Sequence, residues 1–445
     1  MARYEQYRDQ DGKAHLVGLG ENGLYEVPIN QYQCVRCGAE IIPPAPGPPQ
    51  ICDPDQGGCG RKSSSTRFEL LTKDEEEELW EPYPEPEELD LELDLLWEEI
   101  TEFISDHLVM PAPEDYHVLT AWIIATYKQE SFDTAPYLHF VGPINSGKTR
   151  ALEILNLLAY KAVFVTGITA PAVPRIIELY RPTLLVDQAE RIFRSNDGDA
   201  MYRIFASGYR RGPRYVVADT EDPTKVIVRD VFGFKALDST NVFDEALTSR
   251  SILFRMKEGK PKKLRISADD KEQAQKFRAK LLYYALMPDP PAVTLPSDLN
   301  GRIGEIYEPL LRVEEHFGDN AHSILLKRAR ESEKALKSRM KDTMAAQVLQ
   351  AIYDLSSEEM ERSYILLSDV SERTGLSPRR VGYVLRDLGI EKIHTKHGRA
   401  VPLSDEKTVS DLQYLFKKFS IVQDQELIDW ASNHYSRTLE SFMEG

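Results

Sequence analysis

Residues 140–150 read FVGPINSGKTR. Gly142, Gly147, Lys148 and Thr149 spell G-x-x-x-x-G-K-T, a loop whose backbone N–H groups cradle phosphates. Its lysine neutralises β/γ-phosphate charge and its threonine hydroxyl holds Mg²⁺. The pattern constrains the fold because it works only between a buried strand and a helix. PYLHFVG (136–142) supplies the apolar strand and ALEILNLLAY (151–160) the helix. The expected nucleotide-binding residues are Gly142, Asn145, Ser146, Gly147, Lys148 and Thr149, with ATP and Mg²⁺ as cofactors.

Further strands are expected at AVFVTGIT (162–169), TLLVDQ (183–188), FGFKALD (232–238) and SILFRM (251–256), separated by helical stretches. That alternation predicts an α/β core, a parallel sheet flanked by helices. In TLLVDQAER the apolar run delivers Asp187 to a strand end, where it is the expected Mg²⁺-side carboxylate beside Thr149. Gln188 stands where many ATPases carry a water-activating Glu, and Glu190 follows two residues later. Either Glu190 substitutes, or turnover is slow, or the site mainly binds.

The chain carries a net charge of −17, which argues against nucleic acid only until the charge is located. Residues 74–99 contain 14 Asp and Glu and no Lys or Arg, so one linker-like stretch holds all but three of those charges. Basic surfaces elsewhere are therefore permitted. The polar start MARYEQYRDQDGK lacks the apolar core of a signal peptide, and no run of about 18 apolar residues occurs, so a cytoplasmic protein is expected.

All four cysteines fall between Cys34 and Cys59. Cys34-x-x-Cys37 and Cys52-x₆-Cys59 fit a closed four-thiolate structural Zn²⁺ site, which leaves no open position for catalysis. RYVVA and VIVRDV flank the turn EDPTK as a β-hairpin with Lys225 at its tip and Arg210, Arg211 and Arg214 near its base. Such cations can line a strand-binding channel or decorate a solvated hairpin.

The stretches HVLTAWIIATY, PYLHFVGPINSGKT, LLVDQAE, FASGYRRGPRY, FGFKALDST, FDEALTSRSI and GRIGEIYEPLLRV, within 118–312, resemble the AAA+ ATPase domain of phage, plasmid and mobile-element replication proteins. The region is also similar to minichromosome-maintenance-like and superfamily 3 helicases. The resemblance implies that Ser239 or Thr240 is a polar sensor, and that Arg250 is an arginine finger acting on a neighbouring subunit's site. It implies that Arg302 is a second sensor reaching the nucleotide from the lid, and that the chains form a ring, a hexamer. Residues 364–402 resemble a winged helix: Ser377 and Pro378 open a helix carrying Arg379, Arg380 and Arg386, followed by a basic wing with Lys392, Lys396 and Arg399. Such modules bind duplex DNA or other proteins.

The expected organisation is a β-rich zinc-ribbon module (1–72), an acidic linker (73–95), the ATPase core (96–259), a helical lid (260–345), an α+β winged helix (346–402) and a helical tail (403–445). The expected function is an ATP-dependent DNA-handling motor, a replicative helicase or initiator of a mobile element. The alternative is a nucleotide-gated DNA-binding regulator or loader with slow or no turnover.

Overall fold

The structure, a computed structural model, describes residues 93–218, 224–299, 301–317, 321–341, 343–358, 362–422, 425–432 and 434. Towards the N-terminus it describes 4–9, 14–20, 23–27, 32–34, 40–41, 54, 59–60, 62, 68–70 and 79–87. The chain divides into two compact units, Met1–Arg330 and Glu331–Gly445.

The first unit opens with two small antiparallel sheets. One joins β1 (Tyr4–Arg8), β2 (Ala14–Gly20) and β3 (Gly23–Val27); the other joins β4 (Tyr32–Cys34), β5 (Glu40–Ile41) and β6 (Phe68–Leu70). Helices α1 (Leu93–His107) and α2 (Glu114–Thr126) follow. The core then runs β7 (Tyr137–Val141), α3 (Lys148–Leu158), β8 (Ala162–Val165), α4 (Ala172–Tyr180), β9 (Thr183–Val186), α5 (Ala189–Phe193) and α6 (Gly198–Ser207). A separate hairpin, β10 (Arg214–Ala218) and β11 (Val226–Asp230), precedes β12 (Lys235–Ser239), α7 (Glu245–Thr248) and β13 (Ser251–Arg255). Helices α8 (Ala268–Leu286), α9 (Arg302–Phe317) and α10 (His322–Lys341) complete the sequence, the unit boundary falling within α10.

All five expected core strands form one parallel sheet in the order β13-β7-β12-β9-β8. Every residue of β7, β9 and β12 is buried, as a sheet covered on both faces requires. Phe140 stacks on Phe254 at 5.2 Å, and each such side chain contributes about 1.5–3 kcal/mol by leaving water. Trp122 of α2 is fully buried and donates its indole N–H to the Pro136 carbonyl (2.7 Å), fixing the entry of β7. In such sheets ligands sit outside the carboxyl ends of the strands, and that is where the residues after β7, β9 and β12 lie.

The second unit contains α11 (Met344–Glu358), β14 (Tyr364–Leu366), α12 (Leu367–Thr374), α13 (Pro378–Asp387), β15 (Ile393–Thr395), β16 (Gly398–Pro402) and α14 (Glu406–Lys418). Its antiparallel sheet has the order β14-β16-β15. Val348, Ile352, Ile365, Val381, Leu385 and Phe416 share its core. Ser377 caps α13 by accepting the Arg380 N–H, with Pro378 at the first helical position, as its sequence dictates.

Among the described residues no helix is long and apolar enough to cross a membrane.

Candidate functional site

The loop between β7 and α3 is built around two glycines. A Cβ on Gly142 would stand 2.5 Å from the Met256 carbonyl oxygen, so no larger residue fits there. Gly147 adopts φ 89° as the N-cap of α3, a conformation that costs glycine nothing. Asn145 shares the left-handed region at φ 65°. Ser146 donates its hydroxyl to the Pro143 carbonyl (2.8 Å), which fixes the bend. Helix α3 begins at Lys148, three residues earlier than the apolar pattern predicts, so Lys148 and Thr149 sit at a helix N-terminus that favours anions. The Lys148 amine donates to the Gly142 and Pro143 carbonyls at 2.8 Å each.

Acidic groups converge on this loop. Asp187, just past β9, is 7% exposed, and its buried Oδ1 has no hydrogen-bond partner. The parallel register that pairs Leu237 with Val186 brings the next residues, Asp238 and Asp187, side by side. Asp238 was not singled out in the sequence, where it reads as the polar end of a buried strand. It accepts the Gln188 backbone N–H and lies within hydrogen-bonding reach of the Asp187 carboxyl. Burial pushes Asp238 up to about 7 against the opposing pull of the Gln188 N–H, Asp187 raises it further, and Lys148 pulls it back.

The Gln188 side chain is exposed, on a residue in the left-handed conformation (φ 53°). Glu190, on α5, instead turns to the end of β12, where it accepts the Thr240 hydroxyl (3.1 Å) and backbone N–H (3.4 Å). The two sensor candidates separate here. Ser239 is buried, its hydroxyl 2.7 Å from His139 Nε2 and donating to the Asn241 carbonyl, whereas Thr240 is exposed at the rim. An orphaned Asp187 oxygen, a glycine cradle and a nearby threonine hydroxyl fit Mg²⁺ and a polyphosphate.

The arginines lie at the other end of the sheet. Tyr137, the first residue of β7, donates its N–H to the Arg250 carbonyl (3.1 Å), so about 13 Å of strand separates Arg250 from the loop after Val141. Arg250 stacks on the Tyr209 ring at 4.9 Å, and Arg302 stacks on the same ring at 4.7 Å. Arg250 donates to the Ala246 carbonyl and Arg302 pairs with Glu305 (3.5 Å), yet Arg250 Nε and Arg302 Nη1 are buried without partners. The structure thus brings Arg302 to Arg250, at the edge away from its own phosphate loop, and not to the nucleotide end expected of it. Tertiary packing decides this: Thr134, just before β7, donates to the Glu305 carbonyl (2.6 Å) and ties α9 to the amino edge.

The hairpin is less cationic than its sequence suggests. Arg211 is consumed by the Phe132 and Gln129 carbonyls, Glu130 and the Phe232 ring, and Arg214 pairs with Asp230 at 2.9 Å. Lys225 is exposed near the turn, while residues 219–223 lie outside the described residues. The outward face carries Val216, Val226 and Val228.

In the second unit a groove of about 610 Å³ between α13 and the β15–β16 turn is lined by Arg379, Tyr383, Arg386, Lys392, His397 and Arg399. Arg379 and Arg386 are seven apart on one helix face; Arg380, a hundred degrees round, does not line it. Burial, with Arg399 and Arg386 beside it, pushes Lys392 down against the opposing pull of Asp387, which also pairs with Arg386 at 3.1 Å. Of the expected zinc ligands, Cys34 is buried at the end of β4 and Cys59 is exposed, while Cys37 and Cys52 lie outside the described residues.

No family model matches the chain, and no curated protein matches it. Among solved structures it is similar to the apo form of the NrS-1 C-terminal region, with 10% identity over 90% of this chain and 96% of that one and a TM-score of 0.36. It is also similar to the JCV helicase (17% identity, 55% and 69% covered, TM-score 0.22). A third likeness is to Cdc6p from Pyrobaculum aerophilum (12% identity, 70% and 95% covered, TM-score 0.19). All three are distant in sequence and in shape.

Proposed function

We propose that the chain is an ATP-dependent DNA-handling motor of the ring-forming AAA+ kind. The observation that carries this reading is the carboxyl edge of the sheet, where the glycine loop, Lys148, Thr149, Asp187 and the Glu190–Thr240 pair converge. Thr149 and Asp187 would hold Mg²⁺, which when bound neutralises phosphate charge and orients it for in-line attack. The backbone of residues 142–149 cradles the phosphates and Lys148 moves from two loop carbonyls to them. Glu190, braced by Thr240, is the group placed to take the proton of an attacking water. Arg250 cannot reach its own loop across the sheet, so it serves a neighbour's γ-phosphate, and Arg302, sharing the Tyr209 ring, goes with it.

The α13 groove takes the DNA phosphate backbone, and the order helix–strand–helix–helix–strand–strand supports a winged helix there. The four cysteines hold one structural Zn²⁺, which elemental analysis of the purified chain would count. An ATPase assay with and without DNA, beside a strand-displacement assay, tests the whole reading. DNA-stimulated hydrolysis with unwinding is expected, and neither would appear if it is wrong.

One feature favours a nucleotide-gated regulator or loader. Gln188 is exposed and neutral, so the position after Asp187 offers no base. If Glu190 is the base, Glu190→Gln stops hydrolysis. If it is not, Gln188→Glu speeds up a slow enzyme and the regulator is the better description.

A further inference from the structure

The question left by Gln188 is where the site's second carboxylate comes from. Asp187 and Asp238 are 7% and 2% exposed, on adjacent strands, within hydrogen-bonding reach of each other. Among the described residues neither carboxylate has an ion-pair partner, and the Lys148 amine above them is engaged by two carbonyls. One N–H, from Gln188, serves Asp238, and Asp187 Oδ1 has no partner at all. Two adjacent buried carboxylates with so few donors are stable only when a proton or a metal ion lies between them.

We propose that Asp238 is a second ligand of the site's divalent cation, and that Asp187 and Asp238 together form a seat which takes Mg²⁺ before any nucleotide arrives. Magnesium is held by one or two carboxylates with the remaining positions left to water and phosphate, which is what this pair provides. The neighbouring strand thus adds metal-binding charge to the site, and water activation stays with Glu190. Gln188 is then tolerated because its backbone, not its side chain, does the work: its N–H orients Asp238. The inference rests on the phosphate-loop reading for the identity of the site, but not for the existence of the seat.

The test is a titration of the nucleotide-free full chain with Mn²⁺, followed by the paramagnetic signal of the free ion, beside thermal unfolding with and without Mg²⁺. Wild type is expected to bind one Mn²⁺ that Asp238→Asn and Asp187→Asn each weaken about tenfold or more. Asparagine at 238 keeps the acceptor for Gln188 and removes the carboxylate repulsion. Asp238→Asn should therefore melt at or above the wild-type temperature without metal and lose the rise that Mg²⁺ gives. Wild-type Mn²⁺ affinity and an undiminished Mg²⁺ rise in Asp238→Asn would overturn the proposal. A fluorescent ATP analogue in excess chelator separates the two ideas. Binding by wild type and Asp238→Asn, but not by Lys148→Ala, upholds the nucleotide site whatever the metal does. Asp238-dependent Mn²⁺ binding with no nucleotide binding upholds the seat and removes the nucleotide.

Discussion

The two ends of the central sheet are opposites. Among the described residues, the buried atoms without hydrogen-bond partners include the carboxylate oxygens Asp187 Oδ1 and Glu190 Oε2 at the carboxyl end, and at the amino end the guanidinium nitrogens Arg250 Nε and Arg302 Nη1 beside the oxygens Thr183 Oγ1 and Glu305 Oε2. Strand β12 alone spans the contrast. Burial pushes Lys235, at its amino end, down to about 7, and pushes Asp238, at its carboxyl end, up to about 7. Buried polar groups are ordinarily satisfied, so the unpartnered carboxylates of one end and the unpartnered guanidiniums of the other mark where a group from outside the chain can be received. An acceptor edge suits a cation and the phosphates it carries. The arginine pair about 13 Å away suits an anion held by another molecule.

The largest break in the comparison comes from Lys148→Ala. On the proposed reading this removes the cation that meets the phosphates, so nucleotide binding measured by calorimetry should vanish while the circular dichroism spectrum stays that of wild type. Unchanged affinity would mean the carboxyl edge is not a nucleotide site.

Arg250→Ala should bind nucleotide as wild type does and lose about 10³-fold in turnover, because only the partner's γ-phosphate charge goes unmet. Mixing it with Lys148→Ala chains should restore part of the rate, since some junctions then join an intact loop to an intact finger. Absence of rescue, in a chain that sediments as a monomer with ATP and DNA, would reduce Arg250 to a surface arginine.

Arg302→Ala sharpens which edge that arginine serves. Acting with Arg250, it should cost about 100-fold in turnover with nucleotide affinity unchanged. A fall in affinity in dilute, monomeric protein would return Arg302 to its own chain's nucleotide.

The smallest effect concerns Lys235, the amino-edge cation that is fully satisfied: it donates to the Val231 (3.0 Å), Gly233 (2.9 Å) and Gly208 (3.4 Å) carbonyls. Its proton is released near pH 7 in the folded chain and near its ordinary 10.5 in the unfolded one. Between those values the unfolded state binds more protons, so stability should rise with pH by at most about 1.4 kcal/mol per unit and flatten on either side. Chemical denaturation across that window should show the slope in wild type and lose it in Lys235→Met.

Much of this was legible from local pattern. The glycines of 142–149 announce a turn that only close backbone approach explains, and apolar runs ending in Asp187 or beginning at Tyr137 announce buried strands. Strand existence, the hairpin halves and the capped helix at Ser377 follow from periodicity of two, turn residues and a side-chain oxygen, all read within a few residues. Asp238 was not legible, because a carboxylate at a strand end gains meaning only from the neighbour that register sets beside it.

By itself, then, the sequence determined that a glycine-bearing loop joins a buried strand to a helix, that strands of one core sheet surround it, and that a basic helix stands in a second unit. Those are consequences of backbone conformation and short-range amphipathicity. Tertiary structure alone decided which carboxylate joins Asp187, which of Ser239 and Thr240 faces Glu190, and that Arg302 shares a ring with Arg250. Each of these depends on which strands are neighbours and which helix face turns inward, contacts made between residues dozens of positions apart, and no local pattern encodes them.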